Sequence, residues 1–328
     1  MKKRIGAIVA LLIWGGTSCT TSSSTTSSST PSTTPSTLSG SSSATAHSVT
    51  FAPYVAVSSS GNYDMAATAE ATGADRFTLG FVVSDGGCAA KWDGTDTLAN
   101  PNLDKRVSAL RSAGGDIGVS FGGQDGSELA LACDSTGELA AAYATVIDRY
   151  DLTEVDFDIE GGALTDTAAN TRRAKAIAQF QKEATAEGRT PDISFTLPAM
   201  PDGLTADAVA FLKNAEANGV DISTVNIMAM DYGSAYTGDM GGYAIQAATA
   251  AQAQLKSILG LSDTAAWQTL AVTPMIGVND ITTEVFRVSD AEQLAAFAAR
   301  KGLGRLSMWS AGRDTSSLGF TRAMAGDS

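Results

Sequence analysis

The 328-residue chain is acidic, with a net charge of −13, and 44% of its residues are hydrophobic. This charge argues against nucleic acids and anionic membranes as partners and is compatible with a neutral or cationic ligand. The single histidine, His47, lies in a Ser/Thr-rich stretch, which excludes Ser-His-Asp, Cys-His and histidine-metal chemistry from the folded part.

The first 19 residues are predicted to be an export signal. Three cations at positions 2 to 4 precede an apolar run from Ile5 to Trp14, and small residues follow. This pattern is typical of a secretory signal, and the run is too short to cross a bilayer. Cys19 resembles the acceptor cysteine of a bacterial lipoprotein, although Gly16 stands where that motif has a Leu-type residue. An ordinary cleaved signal and a lipid on Cys19 are the two alternatives, and both predict a secreted or extracellular-surface protein.

Residues 20–47 are nearly all Ser, Thr and Pro, a composition that predicts a disordered spacer. A lipid on Cys19 would be the only expected contact with a membrane. It would also leave Cys88 and Cys133 as an even pair in an oxidising compartment. We expect a disulfide between these two residues, and two buried thiols are the alternative.

From Val49 onward, short apolar runs alternate with amphipathic segments, as expected for parallel strands covered by helices. The predicted strands are Thr50–Val55, Arg76–Val83, Asp116–Phe121, Glu154–Ile159, Asp192–Leu197, Thr224–Met230, Thr269–Ile276 and Leu303–Trp309. The predicted helices are Asn102–Ala113, Gly137–Tyr150, Asp166–Glu187, Ala206–Asn218, Gly241–Leu259 and Asp290–Lys301.

Eight strands separated by helices predict that residues 48–328 form one α/β domain, a single (β/α)8 TIM barrel. A doubly wound open sheet is the alternative on pattern alone. That fold normally carries a glycine-rich phosphate loop after its first strand, and Phe51–Ala56 contains no such loop. The link between the seventh and eighth strands is short, so we expect no small domain to be inserted there.

The fourth predicted strand carries an unusual set of acids. Side chains alternate along a strand, so Asp156, Asp158 and Glu160 share one face, which points into the barrel. Three inward carboxylates repel one another and are costly to desolvate, so core packing does not explain them. Repulsion should raise at least one pKa and keep that acid protonated, at the rim where barrel active sites lie. A calcium site or a structural polar site is the alternative, and we favour catalysis.

This strand resembles the signature of glycoside hydrolase family 18, Asp-Gly-x-Asp-x-Asp-x-Glu on barrel strand four. Thr153 and Glu154 replace the leading Asp-Gly, whereas the three functional acids remain. Three further segments resemble family motifs in the same order: Ser120-Phe-Gly-Gly123, Met228-Ala-Met-Asp-Tyr232 and Leu306-Ser-Met-Trp309. The resemblance covers essentially the whole folded part.

The resemblance implies a substrate-assisted reaction with retained configuration and no metal or cofactor. Glu160 would protonate the glycosidic oxygen, and Asp158 would orient the substrate's 2-acetamido group as its carbonyl attacks the anomeric carbon. Asp156 would accept the resting hydrogen bond of Asp158, and Tyr232 would donate to the attacking carbonyl. The residues expected to bind sugar are Trp309, Asp231, Met230, Ser120, Gly122, Gly123, Asn279 and Asp280.

The implied function is that of a monomeric bacterial chitinase acting on chitin or N-acetylglucosamine oligosaccharides. Without an inserted domain, we expect an open groove and endo cleavage. Trp92, Trp267 and Tyr236 are candidates for a chitin track, although a structural role is favoured for each. An endo-β-N-acetylglucosaminidase acting on N-glycans would use the same acids and barrel, and stays an alternative. A non-catalytic chitin-binding lectin and a decayed scaffold are disfavoured, because Glu160 and the other site residues are present.

Overall fold

The computed structural model describes residues 49–58, 63–314 and 316–326. The predicted export signal and Ser/Thr/Pro-rich spacer lie outside the described residues. A curled parallel sheet forms the centre of the fold, and its strands are numbered 1 to 8 here. Strand 1 consists of Thr50–Phe51 and Tyr54–Ala56, and strands 2 to 8 are Arg76–Ser84, Asp116–Gly122, Glu154–Asp158, Asp192–Met200, Thr224–Ala229, Leu270–Pro274 and Arg305–Leu306.

Strand 1 closes this sheet into a ring. Its first run pairs in parallel with strand 8, with Thr50 opposite Arg305, and its second run pairs in parallel with strand 2, with Tyr54 opposite Thr78. Pro53 interrupts the strand because it has no N–H to donate, but its carbonyl still accepts from the amide of Thr78 at 3.0 Å. The remaining neighbours around the ring also pair in parallel. The predicted (β/α)8 barrel is therefore confirmed.

The α-helices cover the outside of the ring or follow its loops. They are Met65–Thr72, Pro101–Ser112, Leu129–Ala132, Thr136–Tyr150, Gly161–Thr165, Thr167–Ala186, Ala206–Ala217, Met240–Ile258, Asp263–Thr269, Val288–Lys301 and Gly319–Ala325. Each of the six predicted helices is present, with ends that differ by at most two residues. The predicted strand Leu303–Trp309 is shorter in the structure, but Trp309 still donates its amide to Pro274 at 2.9 Å.

The two faces of the central strands differ sharply. The outward residues Phe121, Phe157 and Phe195 are buried, and neighbouring rings in this row lie 5.3 and 5.9 Å apart. The inward residues of the same strands are polar, and Ser120 and Asp156 are also buried. The apolar face therefore fixes the register of the sheet, and the polar face supplies side chains that can form a functional site.

Between strands 7 and 8, the chain adds only a small antiparallel hairpin and one helix. The hairpin pairs Gly277–Val278 with Val285–Phe286, and the helix is Val288–Lys301. No small domain is inserted at this point, as expected from the sequence.

The predicted disulfide between Cys88 and Cys133 is also confirmed. It ties the loop after strand 2 to the segment that follows helix Leu129–Ala132. Within the described ranges, no helix is both long enough and apolar enough to cross a membrane.

Candidate active site

A cleft of about 510 Å³ opens at the carboxyl ends of the barrel strands. Six of the side chains that line it are acidic: Asp93, Asp125, Asp158, Glu160, Asp231 and Asp280. Aromatic and methionine side chains form much of the remaining wall: Tyr54, Phe81, Trp309, Met200, Met228, Met230 and Met275. The cleft therefore combines apolar surface with a row of carboxyl groups, a combination suited to an uncharged or cationic polar ligand.

Asp156 lies below the cleft in a network of hydroxyl groups. Its Oδ2 atom accepts from Ser120 at 2.6 Å and from Tyr54 at 2.9 Å, and its Oδ1 atom accepts from Thr196 at 2.9 Å. Burial raises the pKa of Asp156, and hydrogen bonds from Ser120, Ser194, Thr196 and Tyr54 oppose this rise. Asp156 and Ser120 therefore support the site from below, and neither belongs to the wall of the cleft.

Asp158 reaches the cleft, but burial leaves it poorly solvated. Its Oδ1 atom is buried without a hydrogen-bond partner. Burial, followed by the charges of Glu160 and Asp156, raises its pKa well above the ordinary value. The resemblance implied that Asp156 would hold Asp158 at rest, whereas the structure shows Asp156 bonded to surrounding hydroxyls. Asp158 is therefore a carboxyl group with spare hydrogen-bonding capacity beside a ligand cavity.

Glu160 follows strand 4 and stands at the start of the short helix Gly161–Thr165. It is half-buried and lines the cleft. Burial raises its pKa, and the charges of Asp125 and Asp231 raise it further. A carboxyl group that stays protonated to a higher pH and faces a cavity has the properties of a general acid.

Asp231 enters the cleft from the end of strand 6. Its φ of 50° is unusual for a non-glycine residue. The side chain accepts from the amide of Ile281 at 2.8 Å, and its own amide donates to Asn279 Oδ1 at 3.4 Å. Asn279 is buried and does not line the cleft, whereas Asp280 and Met230 do. Asn279 therefore supports the wall. Of the residues expected to bind sugar in these two segments, Met230, Asp231 and Asp280 line the cleft.

Tyr232 lies away from the place that the sequence suggested. Its ring packs against Tyr236 and Tyr243, with centroids 5.6 and 6.3 Å away, and its hydroxyl is buried without a partner. Burial, followed by the charge of Glu284, raises its pKa. It is absent from the residues that line the cleft. The expectation that Tyr232 donates to a substrate carbonyl is not supported, because strand alternation directs its side chain outward once Asp231 turns inward.

Trp309 and Phe81 form an aromatic pair in the wall of the cleft. The two rings stack with centroids 5.4 Å apart, and Tyr54 lies edge-on to Trp309 at 6.1 Å. Gly122 and Gly123 do not line the cleft; Gly123 lies against the ring of Phe81, and Gly122 lies against the backbone of Asp158. Both have a positive φ, and a Cβ atom on Gly123 would lie 2.8 Å from the ring of Phe81. A side chain on Gly122 would overlap the carbonyl oxygen of Asp158.

The three candidates for a chitin track do not form one. Trp92 is fully buried and donates to the hydroxyl of Tyr150 at 2.9 Å. Trp267 is buried against Phe297, and Tyr236 packs on Tyr232. These aromatics have the structural roles that we favoured. In the part of the chain that the structure describes, no three acidic, histidine or cysteine side chains form a metal-binding group.

The chain is similar to chitinases over most of its length. A probable bifunctional chitinase/lysozyme of Escherichia coli is 38% identical over 275 residues, which cover 80% of this chain and 31% of that protein. Endochitinase 11 of Metarhizium anisopliae is 36% identical over 276 residues, which cover 80% of this chain and 52% of that protein. The chain thus spans about a third and about half of the lengths of these curated relatives. No protein-family profile matches it.

A solved structure covers the barrel more completely. The catalytic domain of a hyperthermophilic chitinase from Pyrococcus furiosus is 32% identical, with a TM-score of 0.73, and the match covers 84% of this chain and 93% of that domain. Another structure of that chitinase, of catalytic-site mutants complexed with chito-oligosaccharides, is 31% identical over the same shares. The chain belongs to the glycoside hydrolase family 18 chitinases.

The departure from the family 18 signature has a structural counterpart at the opposite end of the barrel. Glu154, in the position of the signature glycine, forms ion pairs with Arg76 at 3.4 Å and Arg305 at 2.8 Å. These three residues begin strands 4, 2 and 8. The substitution therefore changes the floor of the barrel and leaves the carboxyl groups of the cleft in place.

Several cleft residues of this family 18 chain were not found from the sequence. Tyr54 and Phe81 lie within strands 1 and 2, Asp125 follows strand 3, and all three line the cleft. Their position in or after the carboxyl-terminal half of a barrel strand was the available signal. It was not sufficient, because a residue type alone does not tell which loop turns back over the cavity.

Proposed function

We propose that the protein is a chitinase that hydrolyses β-1,4 linkages between N-acetylglucosamine units. One observation carries this proposal: Asp156 lies below the cleft, and Asp158 and Glu160, two and four residues further along the chain, line the same cleft as Trp309. The Pyrococcus furiosus relative, crystallised with chito-oligosaccharides, supports the same class of ligand.

The proposed reaction begins with Glu160 in its protonated form. Glu160 donates its proton to the glycosidic oxygen while that bond to the anomeric carbon breaks. The carbonyl oxygen of the substrate's 2-acetamido group forms the replacing bond, and Asp158 stabilises the positive charge that develops on the acetamido nitrogen. A water then opens the cyclic intermediate and returns a proton to Glu160, so that the configuration is retained.

We further propose that cleavage is endo-acting. The short link between strands 7 and 8 supports this, because a hairpin and one helix leave no inserted domain to wall off an end of the cleft. A sugar chain could then enter along its length. An exo-acting enzyme would need the chain end to be enclosed.

Export is proposed on different grounds. The basic and apolar pattern of residues 1–19 supports an export signal, and the Cys88–Cys133 disulfide is compatible with an oxidising compartment. Mass spectrometry of the protein from intact cells would distinguish a lipid on Cys19 from simple cleavage.

The first test is the hydrolysis of an N-acetylglucosamine hexamer by the protein and its Glu160→Gln variant. We expect dimers to tetramers with an initial excess of the β-anomer, and a loss of about 100- to 10,000-fold in kcat in the variant. Circular dichroism should show that the variant is folded. Substantial residual activity in a folded variant would refute the assignment of Glu160, and release of single end sugars would contradict endo cleavage. If the folded protein left the hexamer intact but cut N-glycans, the glycan-directed alternative would replace the proposal.

The role of the acetamido group has its own test. A glucosamine hexamer has the same linkages but lacks the carbonyl oxygen that acts as nucleophile. We therefore expect no detectable cleavage of this substrate under conditions that degrade the N-acetylated hexamer, with products followed by chromatography. Cleavage at a comparable rate would mean that a protein carboxylate attacks the anomeric carbon instead.

A further inference from the structure

The hairpin after strand 7 contains a carboxyl group that the proposed reaction does not use. Glu284 is 0% exposed, and its Oε1 atom accepts from the amide of Gly233 at 2.7 Å. Its Oε2 atom is buried without a hydrogen-bond partner. Among the described residues, no lysine or arginine forms an ion pair with Glu284. A buried carboxyl group without a paired cation lowers the stability of the fold. A contribution to the site would explain why Glu284 is nevertheless present.

Two carboxyl groups form hydrogen bonds between the hairpin and the segment after strand 6. Glu284 of the hairpin accepts from Gly233, while Asp231 of the segment accepts from the hairpin amide of Ile281 at 2.8 Å. Asn279 joins the two exchanges. The backbone amide of Asn279 donates to the backbone carbonyl of Glu284 at 3.0 Å, and its side-chain oxygen accepts from the backbone amide of Asp231 at 3.4 Å.

Asp231 needs such support because its backbone is in an uncommon conformation. Met228 and Met230 line the cleft, and simple alternation would point the next side chain away from it. The positive φ of Asp231 turns its carboxyl group back into the cleft. A strained backbone of this kind persists when the surrounding contacts over-determine it, and the hairpin supplies those contacts.

We infer that Glu284 is a positioning residue, which keeps the carboxyl group of Asp231 in the wall of the cleft where it acts on Glu160. The inference rests on the proposed function, in which Glu160 is the acid. Glu284 itself does not reach the cleft and acts only through the backbone that carries Asp231.

The charges around this pair indicate how the effect would appear. Asp231 faces Asp280 and Glu284 on the hairpin and Arg313 from the turn after strand 8. Glu160 is influenced by Asp125 and Asp231, and its charge in turn acts on Asp158. Because the charge of Asp231 raises the pKa of Glu160, displacement of Asp231 should lower that pKa. The acid would then lose its proton at a lower pH.

The test compares Glu284→Ala, Glu284→Asp and Glu284→Gln by the pH dependence of kcat/KM on the N-acetylglucosamine hexamer. In the alanine and aspartate variants, the Gly233 amide loses its acceptor or can no longer reach it. We expect kcat to fall about tenfold, with KM less affected, and the alkaline limb to move down by roughly 0.5 pH unit. The glutamine variant keeps an oxygen acceptor and should restore most of kcat. Asp290→Ala is the matched control, because it removes another buried carboxyl group nearby that accepts from a backbone amide at 2.6 Å. It should lower stability without moving the limb.

A crystal structure of a folded Glu284 variant separates this inference from the proposed function. We expect the 2.8 Å bond between Asp231 and Ile281 to be lost in Glu284→Asp, whether or not the wild-type protein cleaves the hexamer. An Asp231 carboxyl group that stays in place, or an alkaline limb that does not move in an active variant, would overturn the role of Glu284. An inactive wild-type protein with a displaced Asp231 in the variant would instead refute the proposed function alone.

Discussion

Glu160 shares its cleft with carboxyl groups that come from distant parts of the chain. Asp125 follows strand 3 and Asp231 follows strand 6. Burial is the largest cause of the raised pKa of Glu160, and the charges of Asp125 and Asp231 raise that pKa further. Their effect is to extend the pH range in which Glu160 keeps its proton. Neighbours that form no hydrogen bond with Glu160 can therefore set the upper pH limit of the proposed reaction.

Asp125→Asn tests this view of the acid. The substitution removes a negative charge, so the pKa of Glu160 should fall and the alkaline limb of kcat/KM should move to lower pH, by roughly 0.5 pH unit. Asp93→Asn is the matched control, because Asp93 also lines the cleft but is not among the charges that raise the pKa of Glu160. The pH dependence of kcat/KM on the N-acetylated hexamer is measured for both variants. Equal shifts in the two variants would mean that the general field of the cleft, and not Asp125, acts on Glu160.

The sequence predicted the residues of strand 4 well and the residues of the loops poorly. Alternation along an extended strand was enough to group Asp156, Asp158 and Glu160 on one face. The role of Tyr232 came only from the family resemblance, and the resemblance could not indicate that Asp231 has a positive φ or that the Tyr232 ring packs against Tyr236. Glu284 gave no signal in the sequence, since the role we infer for it depends on contact between two segments that are about 50 residues apart.

At the scale of elements, one disulfide links two loops that each supply an acid to the cleft. Cys88 belongs to the hairpin that continues to Asp93, and Cys133 follows the short helix Leu129–Ala132, which ends the loop that contains Asp125. The same loop is anchored by Glu128, which receives a hydrogen bond from the buried Arg173 at 2.5 Å and one from Tyr143 at 3.0 Å. These connections hold one edge of the cleft.

Replacing both cysteines with serine should loosen this edge and destabilise the fold. The bond joins positions 45 residues apart, and the loss of a link of this span lowers the free energy of unfolding by about 2–4 kcal/mol. Denaturant unfolding measures the change, and KM for the hexamer should rise because Asp125 is held less firmly. Wild-type protein under reducing conditions is the control and should behave like the double variant. An unchanged unfolding midpoint would show that the remaining contacts hold the two loops without the bond.

The elements that the sequence predicted are those with strong periodicity. The long helices were found within two residues of their ends, since each shows a buried face at helical spacing. Met65–Thr72 was missed because its run of alanine and threonine has little contrast between faces. Its start depends on one local contact, a hydrogen bond from the amide of Ala67 to Asp64 at 3.0 Å, which a hydrophobic pattern does not reveal.

At the scale of the whole molecule, the two ends of the barrel have different tasks. The cleft end contains Asp158 and Glu160, whose pKa values are raised, and no lysine or arginine is among the described residues that line its wall. The other end contains Glu154 between Arg76 and Arg305. Among the described residues, the acids that line the cleft form no ion pairs, whereas Glu154 at the opposite end of the barrel forms two.

The position of strand 1 between strands 2 and 8 has a consequence for the order of folding. One seven-residue segment must pair with strand 2 on one side and strand 8 on the other, and the hydrogen bond from Ser307 to Ala52 joins residues 255 positions apart. Contacts this distant form slowly, because the intervening chain must be ordered first. During synthesis, the first strand can meet its nearer neighbour early, but the ring stays open until residues 305–307 have left the ribosome. The wall containing Trp309 would be the last part of the cleft to take shape.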